Sequence, residues 1–320
     1  MSPNPTAVMN ANQTSVDAGL AIAKASLELH LLGQSYDRPN TPAGHAQLLK
    51  RLAAVPGAHL ICEATGGYER AVVAARHAAP VPGSVINPAR VRQFARAAGQ
   101  LAKTDPIDAA VLTAFGVAFA PRITAARTTV AIHLAALTTR RAQWLQLRIA
   151  EEQRAETGTE TALCQLFTGW LAQVHKQLAK VEALTEKLLA EQTLLAAQVQ
   201  RLDDLMGVGR LTAVTVLAAL PELGTLNRGQ AAALAGLAPD NRDRGTWAGQ
   251  RHSSGGRAAV RCARYMAAWS ASRSNQILKP FYDRLIAAGK PAQVALPAGR
   301  RKLIVLMNHL LKNPDFTLAK

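Results

Sequence analysis

The 320-residue sequence has few aromatic residues, few cysteines and no long apolar segment. Aromatic residues make up 4% of it, and its three cysteines, Cys62, Cys164 and Cys262, lie far apart, which excludes closely spaced zinc ligands and a disulfide framework. Such a sparse, odd set is typical of the reducing cytoplasm. No run of about 20 apolar residues is present, and residues 1–14 lack the regions of a signal peptide. We expect a cytoplasmic protein without a membrane partner.

Acidic residues are also scarce, and this shortage is concentrated at one end. The chain has 37 Lys or Arg and 21 Asp or Glu, a net charge of +16. Residues 240–320 contain 15 basic and 4 acidic residues, a net charge of +11. Concentrated positive charge indicates a polyanionic partner, nucleic acid first, and the alternative is a solvated basic surface.

The first part of the chain alternates strand-like and helix-like segments. Strands are predicted over residues 20–23, 27–32, 59–64 and 84–86, and helices over 42–55, 66–79, 88–99 and from 105 onward. This alternation predicts an α/β layer fold. Its periodicity is lost near residues 118–128, where we expect the unit to end.

The middle of the chain has the pattern of a long amphipathic helix. Leu171, Val174, Leu178, Val181 and Leu188 follow a 3/4 spacing with polar residues between them, after a break at residues 155–161. The pattern predicts a helix of about 30 residues that can pair as a coiled coil. Pairing with a second copy would make the protein a homo-oligomer, and packing on its own chain is the alternative.

The last part carries two features that suit nucleic acid. Gly207 and Gly209 precede a helix of small apolar residues. Such glycines permit a tight hairpin between helices whose free backbone N–H groups can hold a phosphate, as in a helix-hairpin-helix. Arginines at helical spacing form a predicted stripe, and the segment 298–311 begins with a basic cluster and continues as an apolar helix. The stripe contains Arg257, Arg261 and Arg264, and the cluster contains Arg300, Arg301 and Lys302.

The segment "AKTDPIDA" (102–109) permits two interpretations. Asp105 can serve as a helix N-cap with Pro106 at the first helical position, and Asp108 then lies where the helix N-terminus favours an acid. The same spacing places both carboxylates on one face of the first turn, which suits a hard divalent cation. This segment alone leaves both interpretations open.

A third acid, Glu63, ends an apolar strand and precedes Gly66 and Gly67. In open α/β sheets the chemistry collects at the carboxyl ends of strands, and a glutamate buried there is costly unless it is paired or binds metal. With Asp105 and Asp108, three carboxylates can meet at this edge, where only a cation lets all of them ionise. Oxygen ligands select Mg²⁺, and two such ions would support phosphoryl transfer.

Five motifs carry a family resemblance: "CEATGGYE", "INPARVRQFA", "LAKTDPIDA", "MGVGRLTA" and "LAGLAPDNRD". In this order they resemble the DEDD-type transposases of the insertion-sequence 110 family, close to its 1111 branch, from about residue 15 to 313. The resemblance implies three parts: a RuvC-like, RNase H-fold domain over 1–125, a helical linker or coiled coil over 126–200, and a mainly helical transposase domain over 201–320.

The resemblance also implies a chemistry. Four acids bind Mg²⁺, a C-terminal serine attacks DNA, and a structured RNA guides the choice of target and donor DNA. Glu63, Asp105 and Asp108 match three of the four acids. The expected partners are therefore duplex DNA of the element ends and target, and the guide RNA.

Two positions depart from the family pattern. In "GLAIAKASLEL", Ala21 occupies the position of the first acid, and Asp17 lies four residues upstream. A strand of four residues spans about 13 Å, so Asp17 can replace that acid only if the strand is shifted or looped. Arg244 stands where the family has serine, and arginine cannot be a nucleophile. The neighbouring hydroxyls, at Thr246, Ser253 and Ser254, fit ordinary loop residues or phosphate contacts.

Three functions follow from these residues. The first is a recombinase that cuts and rejoins DNA, the second is a non-catalytic nucleic-acid-binding protein on the same scaffold, and the third is an RNase H-type nuclease. Ala21 and Arg244 favour the second over the first, because losing a nucleophile costs about as much as losing the whole catalytic set. We interpret the chain as a transposase by descent, with the non-catalytic derivative as the alternative.

Overall fold

A computed structural model of the chain describes residues 15–158, 160–240, 252–253, 256–257, 260 and 270–316. It divides into two compact units, Met1–Ala126 and Arg127–Lys320. The first is a mixed α/β unit and the second is mainly helical, as the sequence predicts. This arrangement is compatible with an RNase H-like fold followed by helices.

A five-stranded sheet forms the centre of the first unit. Its strands are β1 (Val16–Ile22), β2 (Ser26–Leu31), β3 (Gln34–Pro39), β4 (Ala58–Glu63) and β5 (Gly83–Ile86), and the spatial order is β3-β2-β1-β4-β5. Strands β1 to β3 are antiparallel, while β4 and β5 run parallel to β1. The sequence did not predict β3, which is polar and ends in proline; such a strand is tolerated because it lies at the sheet edge.

Helices cover both faces of this sheet. They are α1 (Pro42–Ala53), α2 (Glu69–His77), α3 (Pro88–Ala97) and α4 (Asp105–Phe119). Leucines on one face, among them Leu20, Leu29 and Leu60, form a core with α1 and α2 residues. The opposite face carries α4.

Helix α4 lies so close to β1 that glycine is required between them. A Cβ added to Gly19 would lie 2.0 Å from the Ala109 carbonyl oxygen, and one added to Gly116 would lie 2.8 Å from Asp17 Cγ. The Gly19 N–H also donates to Thr113 Oγ1 at 2.8 Å. The helix therefore runs opposite to β1, and its N-terminus lies toward the carboxyl end of that strand.

The second unit is built from helices around an apolar core. The helices that the structure describes here include α5 (Thr129–Thr157), α6 (Thr161–Ala190), α7 (Thr193–Asp203), α8 (Arg210–Ala219), α9 (Arg228–Leu234), α10 (Leu278–Ala287) and α11 (Ala292–Lys312). Two short strands, β6 (Pro239–Asp240) and β7 (His252–Ser253), pair with each other. Among the described residues, none of the helices is both long and apolar enough to cross a membrane.

The long amphipathic helix of the sequence is α6, and it packs against α5 of its own chain. Val174, Leu178 and Val181 are buried in it, as the 3/4 pattern requires. Pairing with a second copy stays a prediction, because a single chain does not test it.

Candidate metal and nucleic-acid sites

Glu63 and Asp108 line one cleft at the carboxyl edge of the sheet. Glu63 is the last residue of β4, and Asp108 lies in the first turns of α4. Arg92 and Lys103 also line this cleft, which has a volume of about 340 Å³. Asp105 is exposed and does not line it. The structure therefore brings two of the three predicted acids together and places the third beside them.

Both cleft carboxyls bind their protons more tightly than usual. Burial raises the pKa of Glu63; the charge of Lys103 lowers it in part, and Asp108 raises it further. Burial likewise raises the pKa of Asp108, with Lys103 and Arg92 opposing and Asp105 adding to the effect. Ionised carboxylates are thus costly here, and a cation in the cleft would relieve that cost.

Helix α4 begins one residue earlier than the sequence suggested. Thr104 is the N-cap in an extended conformation, and its carbonyl accepts the Asp108 N–H at 2.8 Å. Asp105 and Pro106 are the first two helical residues, and no side chain caps this helix. The Asp105 carboxylate is therefore not used as an N-cap, which was one of its two interpretations.

The loop after Glu63 is held by an acid that sequence analysis missed. One carboxylate oxygen of Glu69 accepts hydrogen bonds from the Gly67 N–H at 2.8 Å and from the Thr65 N–H and hydroxyl at 3.1 Å. Gly66 and Gly67 have positive φ angles of 75° and 127°, which such a loop needs. Burial by itself raises the pKa of Glu69, but these hydrogen bonds outweigh it and lower the pKa. A glutamate just after a Gly-Gly turn was the available signal.

Asp17 does not lie with these acids. It pairs across the parallel ladder with His59, four residues before Glu63 on β4, which is about 13 Å away along the strand. Its buried carboxylate lies 3.0 Å from His59 Nδ1. The strand is neither shifted nor looped. In this register Asp17 is too far from Glu63 to take the place of the first acid.

Ala21 occupies the position beside Glu63. In the same ladder Leu20 pairs with Cys62, so the next residues, Ala21 and Glu63, are neighbours. The Ala21 methyl group is buried. The departure seen in the sequence therefore falls inside the acidic edge.

The ligand atoms available in the cleft are carboxylate oxygens, which is the chemical type that a hard divalent cation prefers. Their number is small: in the part of the chain that the structure describes, no three Asp, Glu, His or Cys side chains converge closely enough to hold a metal ion. Two carboxylates in one cleft, with a third on the same helical turn, provide an incomplete set of ligands.

Two family models match this chain. A model for DEDD transposases of the IS110 type, described as "Transposase", matches residues 28–163, and one described as "Transposase IS116/IS110/IS902 family" matches residues 199–283. The chain belongs to the IS110 family of DEDD transposases. No individual curated protein matches it. The first match contains Glu63, Asp105 and Asp108 and begins seven residues after Ala21.

In the helical unit of this transposase, the two predicted glycines differ. Gly207 has a φ of 92°, and a Cβ added there would lie 2.5 Å from Ala271 Cα, so this glycine permits close backbone packing. Gly209 is the N-cap of α8, and a Cβ added there would meet nothing within 4 Å. Of the two, Gly209 is the more exposed, and phosphate binding there stays a prediction.

The predicted arginine stripe is only partly described. Arg257 donates a bidentate pair of 2.8 Å hydrogen bonds to Glu222 and one of 2.6 Å to the Ala219 carbonyl, so its guanidinium is engaged within the unit. Arg244, Arg261, Arg264, Thr246 and Ser254 lie outside the described residues, and Ser253 is exposed in β7.

The basic cluster at the middle of α11 points in more than one direction. Arg301 is exposed, whereas Lys302 is half-buried with its ammonium 4.5 Å from the centre of the Phe281 ring. Burial lowers the pKa of Lys302, and the neighbouring Arg284 adds to this effect. Arg301 is thus more exposed than Arg300 and Lys302, which are both half-buried, and phosphate contact by this cluster stays a prediction.

Proposed function

We propose that this chain is a recombinase of an insertion sequence that cuts and rejoins DNA under the direction of a structured RNA. The observation that supports this proposal most is the meeting of Glu63 and Asp108 in one cleft of the family's DEDD region. These residues come from a strand end and a helix start that are 45 positions apart in the chain. Their convergence is what a carboxylate site for phosphoryl transfer requires.

Glu63 and Asp108, with Asp105 on the same turn, would hold Mg²⁺. When bound, this ion supplies activation of the attacking oxygen and stabilisation of the leaving oxygen. Arg92 and Lys103 line the same cleft and present cations to a DNA phosphate. The exposed Arg301 and the open N-terminus at Gly209 support further contacts with nucleic acid.

A non-catalytic DNA- and RNA-binding protein is the second candidate. The buried Ala21 beside Glu63 favours it, because the family pattern has an acid at that position. Arg244 favours it as well, because the family pattern has serine there. Both candidates share the fold and the basic helical unit and differ in chemistry alone.

We also propose that the transposase is a homo-oligomer. Helices α5 and α6 are 29 and 30 residues long. In the halves nearest to the loop that connects them, Leu147, Leu166 and Trp170 are exposed. Burying these side chains against a second copy would remove apolar surface from water. Light scattering of the wild type and of Leu166→Glu would test this, and a monomeric wild type would contradict it.

The decisive experiment for the function is a cleavage assay. The full chain is mixed with supercoiled plasmid carrying the element ends, the element's RNA and Mg²⁺, and a denaturing gel is searched for protein-linked DNA. A linked product supports the recombinase. Binding of DNA and RNA without any linked product supports the non-catalytic candidate, and absence of binding contradicts both.

A further inference from the structure

Three acids and one alanine form a row across four strands of the sheet. Asp37 on β3 pairs with Glu28 on β2, and Glu28 pairs with Ala21 on β1. Ala21 in turn lies beside Glu63 on β4. Residues directly opposite each other in neighbouring strands project on the same face of a sheet. The row is therefore Asp37, Glu28, Ala21 and Glu63 on one face.

This face is the one that α4 covers. His30, two residues after Glu28, has its Nδ1 3.0 Å from Thr113 Oγ1 of α4. Gly19, two residues before Ala21, contacts the same helix. Because α4 runs opposite to β1, its first turns, with Asp105 and Asp108, lie toward the Ala21 end of the face. Glu28 thus belongs to the same edge as the predicted metal ligands.

Glu28 is a largely buried residue, and its carboxylate has no partner among the described residues. It is 9% exposed, and within the described part of the chain no residue donates a hydrogen bond to its carboxylate or forms an ion pair with it. The exposed Asp37 directly opposite adds a like charge, which destabilises a strand pair. A carboxylate that no described residue engages can bind a cation.

Ala21 stands between the two glutamates and carries no ligand atom. Glu28 and Glu63 are two strands apart, so their Cα atoms are separated by about 10 Å. Their long side chains can approach each other over the Ala21 methyl group. Glu28 does not itself line the cleft of Glu63 and Asp108, so its side chain would turn toward that cleft when it binds a cation.

We propose that Glu28 supplies the carboxylate that the family pattern places at Ala21, from one strand further across the sheet. With Glu63 and Asp108 it completes the site for a divalent cation. This inference rests on the proposed function. It means that the carboxylate absent from β1 is replaced by one on β2. Asp37, exposed and one strand further out, is not part of the site.

Mn²⁺ binding to the full chain tests the proposal without an activity assay. Binding is measured as the decrease in the electron paramagnetic resonance signal of free Mn²⁺ in solution. Glu28→Gln keeps the shape of the side chain and is expected to weaken Mn²⁺ binding at least about tenfold. Asp37→Asn removes the same charge one strand away and is expected to weaken it less than about twofold, because exposed charges are screened. Circular dichroism checks that both variants fold.

A rescue separates ligation from a structural role. Ala21→Asp in the Glu28→Gln background returns a carboxylate to the row and is expected to recover most of the Mn²⁺ affinity. Equal affinity of the wild type and Glu28→Gln, failure of the rescue in a folded protein, or absence of Mn²⁺ binding by the wild type would each overturn the proposal. A gel-shift measurement with DNA and RNA on the same samples shows separately whether the nucleic-acid function holds.

Discussion

Asp17 Oδ1 lies 3.0 Å from Nδ1 of His59, and the other ring nitrogen of His59 lies 2.9 Å from the hydroxyl of Ser84. All three residues are buried. The Ser84 hydroxyl also contacts the carbonyl oxygens of Pro121 and Arg122. This chain of polar groups joins β1, β4 and β5 and anchors the segment that follows α4. It gives Asp17 a structural role at the end of the sheet opposite to Glu63.

Replacing Asp17 should therefore reduce stability and leave metal binding unchanged. Asp17→Ala strands a buried histidine and is expected to cost about 1–3 kcal/mol, which would appear as a lower temperature of thermal unfolding. Mn²⁺ affinity should stay at the wild-type value. Asp37→Ala, an exposed acid of the same sheet, is the matched control. Lost Mn²⁺ binding with unchanged stability would return Asp17 to the set of metal ligands.

Glu69 should make the stability of the transposase depend on pH. Its pKa is lowered in the folded protein, so the stabilisation is present above the unfolded pKa and is lost as the pH falls through the folded pKa. Glu69→Gln weakens the hydrogen bonds to the loop and is expected to cost about 1.5 kcal/mol at neutral pH. The difference in unfolding temperature between wild type and variant should narrow as the pH falls below the ordinary glutamate pKa and through the lowered folded pKa. A difference that is constant across this range would contradict the assignment.

The carboxylates of Glu63 and Asp108 should each lower the stability of the metal-free protein and raise the stability of the metal-bound protein. Because burial and repulsion raise their pKa values, Asp108→Asn should raise the unfolding temperature in EDTA. Mg²⁺ or Mn²⁺ should raise the unfolding temperature of the wild type but not that of Glu63→Gln or Asp108→Asn. Asp105→Asn, outside the cleft, should retain part of the response. A wild type that does not respond to either ion would exclude this cleft as a metal site.

Arg244→Ser tests whether the nucleophile is the missing part. If Glu28 completes the cation site, this single change should yield protein-linked DNA in the presence of the RNA and Mg²⁺, and adding Ala21→Asp should change little. Adding Glu28→Gln should abolish the product, since a serine without its metal is a weak nucleophile. Arg242→Ser is the control for the lost charge.

Strong non-additivity of Ala21→Asp and Arg244→Ser, with product from the double variant alone, would show that Glu28 does not replace the acid. Linked DNA formed by the unmodified chain would instead point to another hydroxyl, at Thr246, Ser253 or Ser254.

Arg301 should contribute to nucleic-acid binding through phosphate contact. Arg301→Ala is expected to lower the slope of log affinity against log salt by about one. Lys290→Ala removes another exposed cation, outside the basic cluster, and serves as the control. Replacing Arg300, Arg301 and Lys302 together would be less informative, because Lys302 also packs on Phe281. Unchanged affinity and slope for Arg301→Ala would exclude this contact.

Local patterns in the sequence predicted much of the first unit. Apolar runs located β1, β2, β4 and β5, and proline at helix starts located α1, α3 and α4 within a few residues. The motifs identified the family and pointed to Glu63 and Asp108, which the folded chain brings into one cleft. The exact start of α4 and the polar edge strand β3 were not predicted, since neither has a strong local signal in the sequence.

Register between strands was decided by the tertiary structure alone. The sequence shows Ala21 in place of an acid and Asp17 four residues before it, but the pairing of distant strands determines which groups lie beside Glu63. That pairing places Asp17 against His59 and lines up Glu28 with Ala21. Register depends on which face of every strand is buried, and so on contacts between residues far apart in the chain. The sequence determined which acids are present, and the folded sheet determined which of them share an edge.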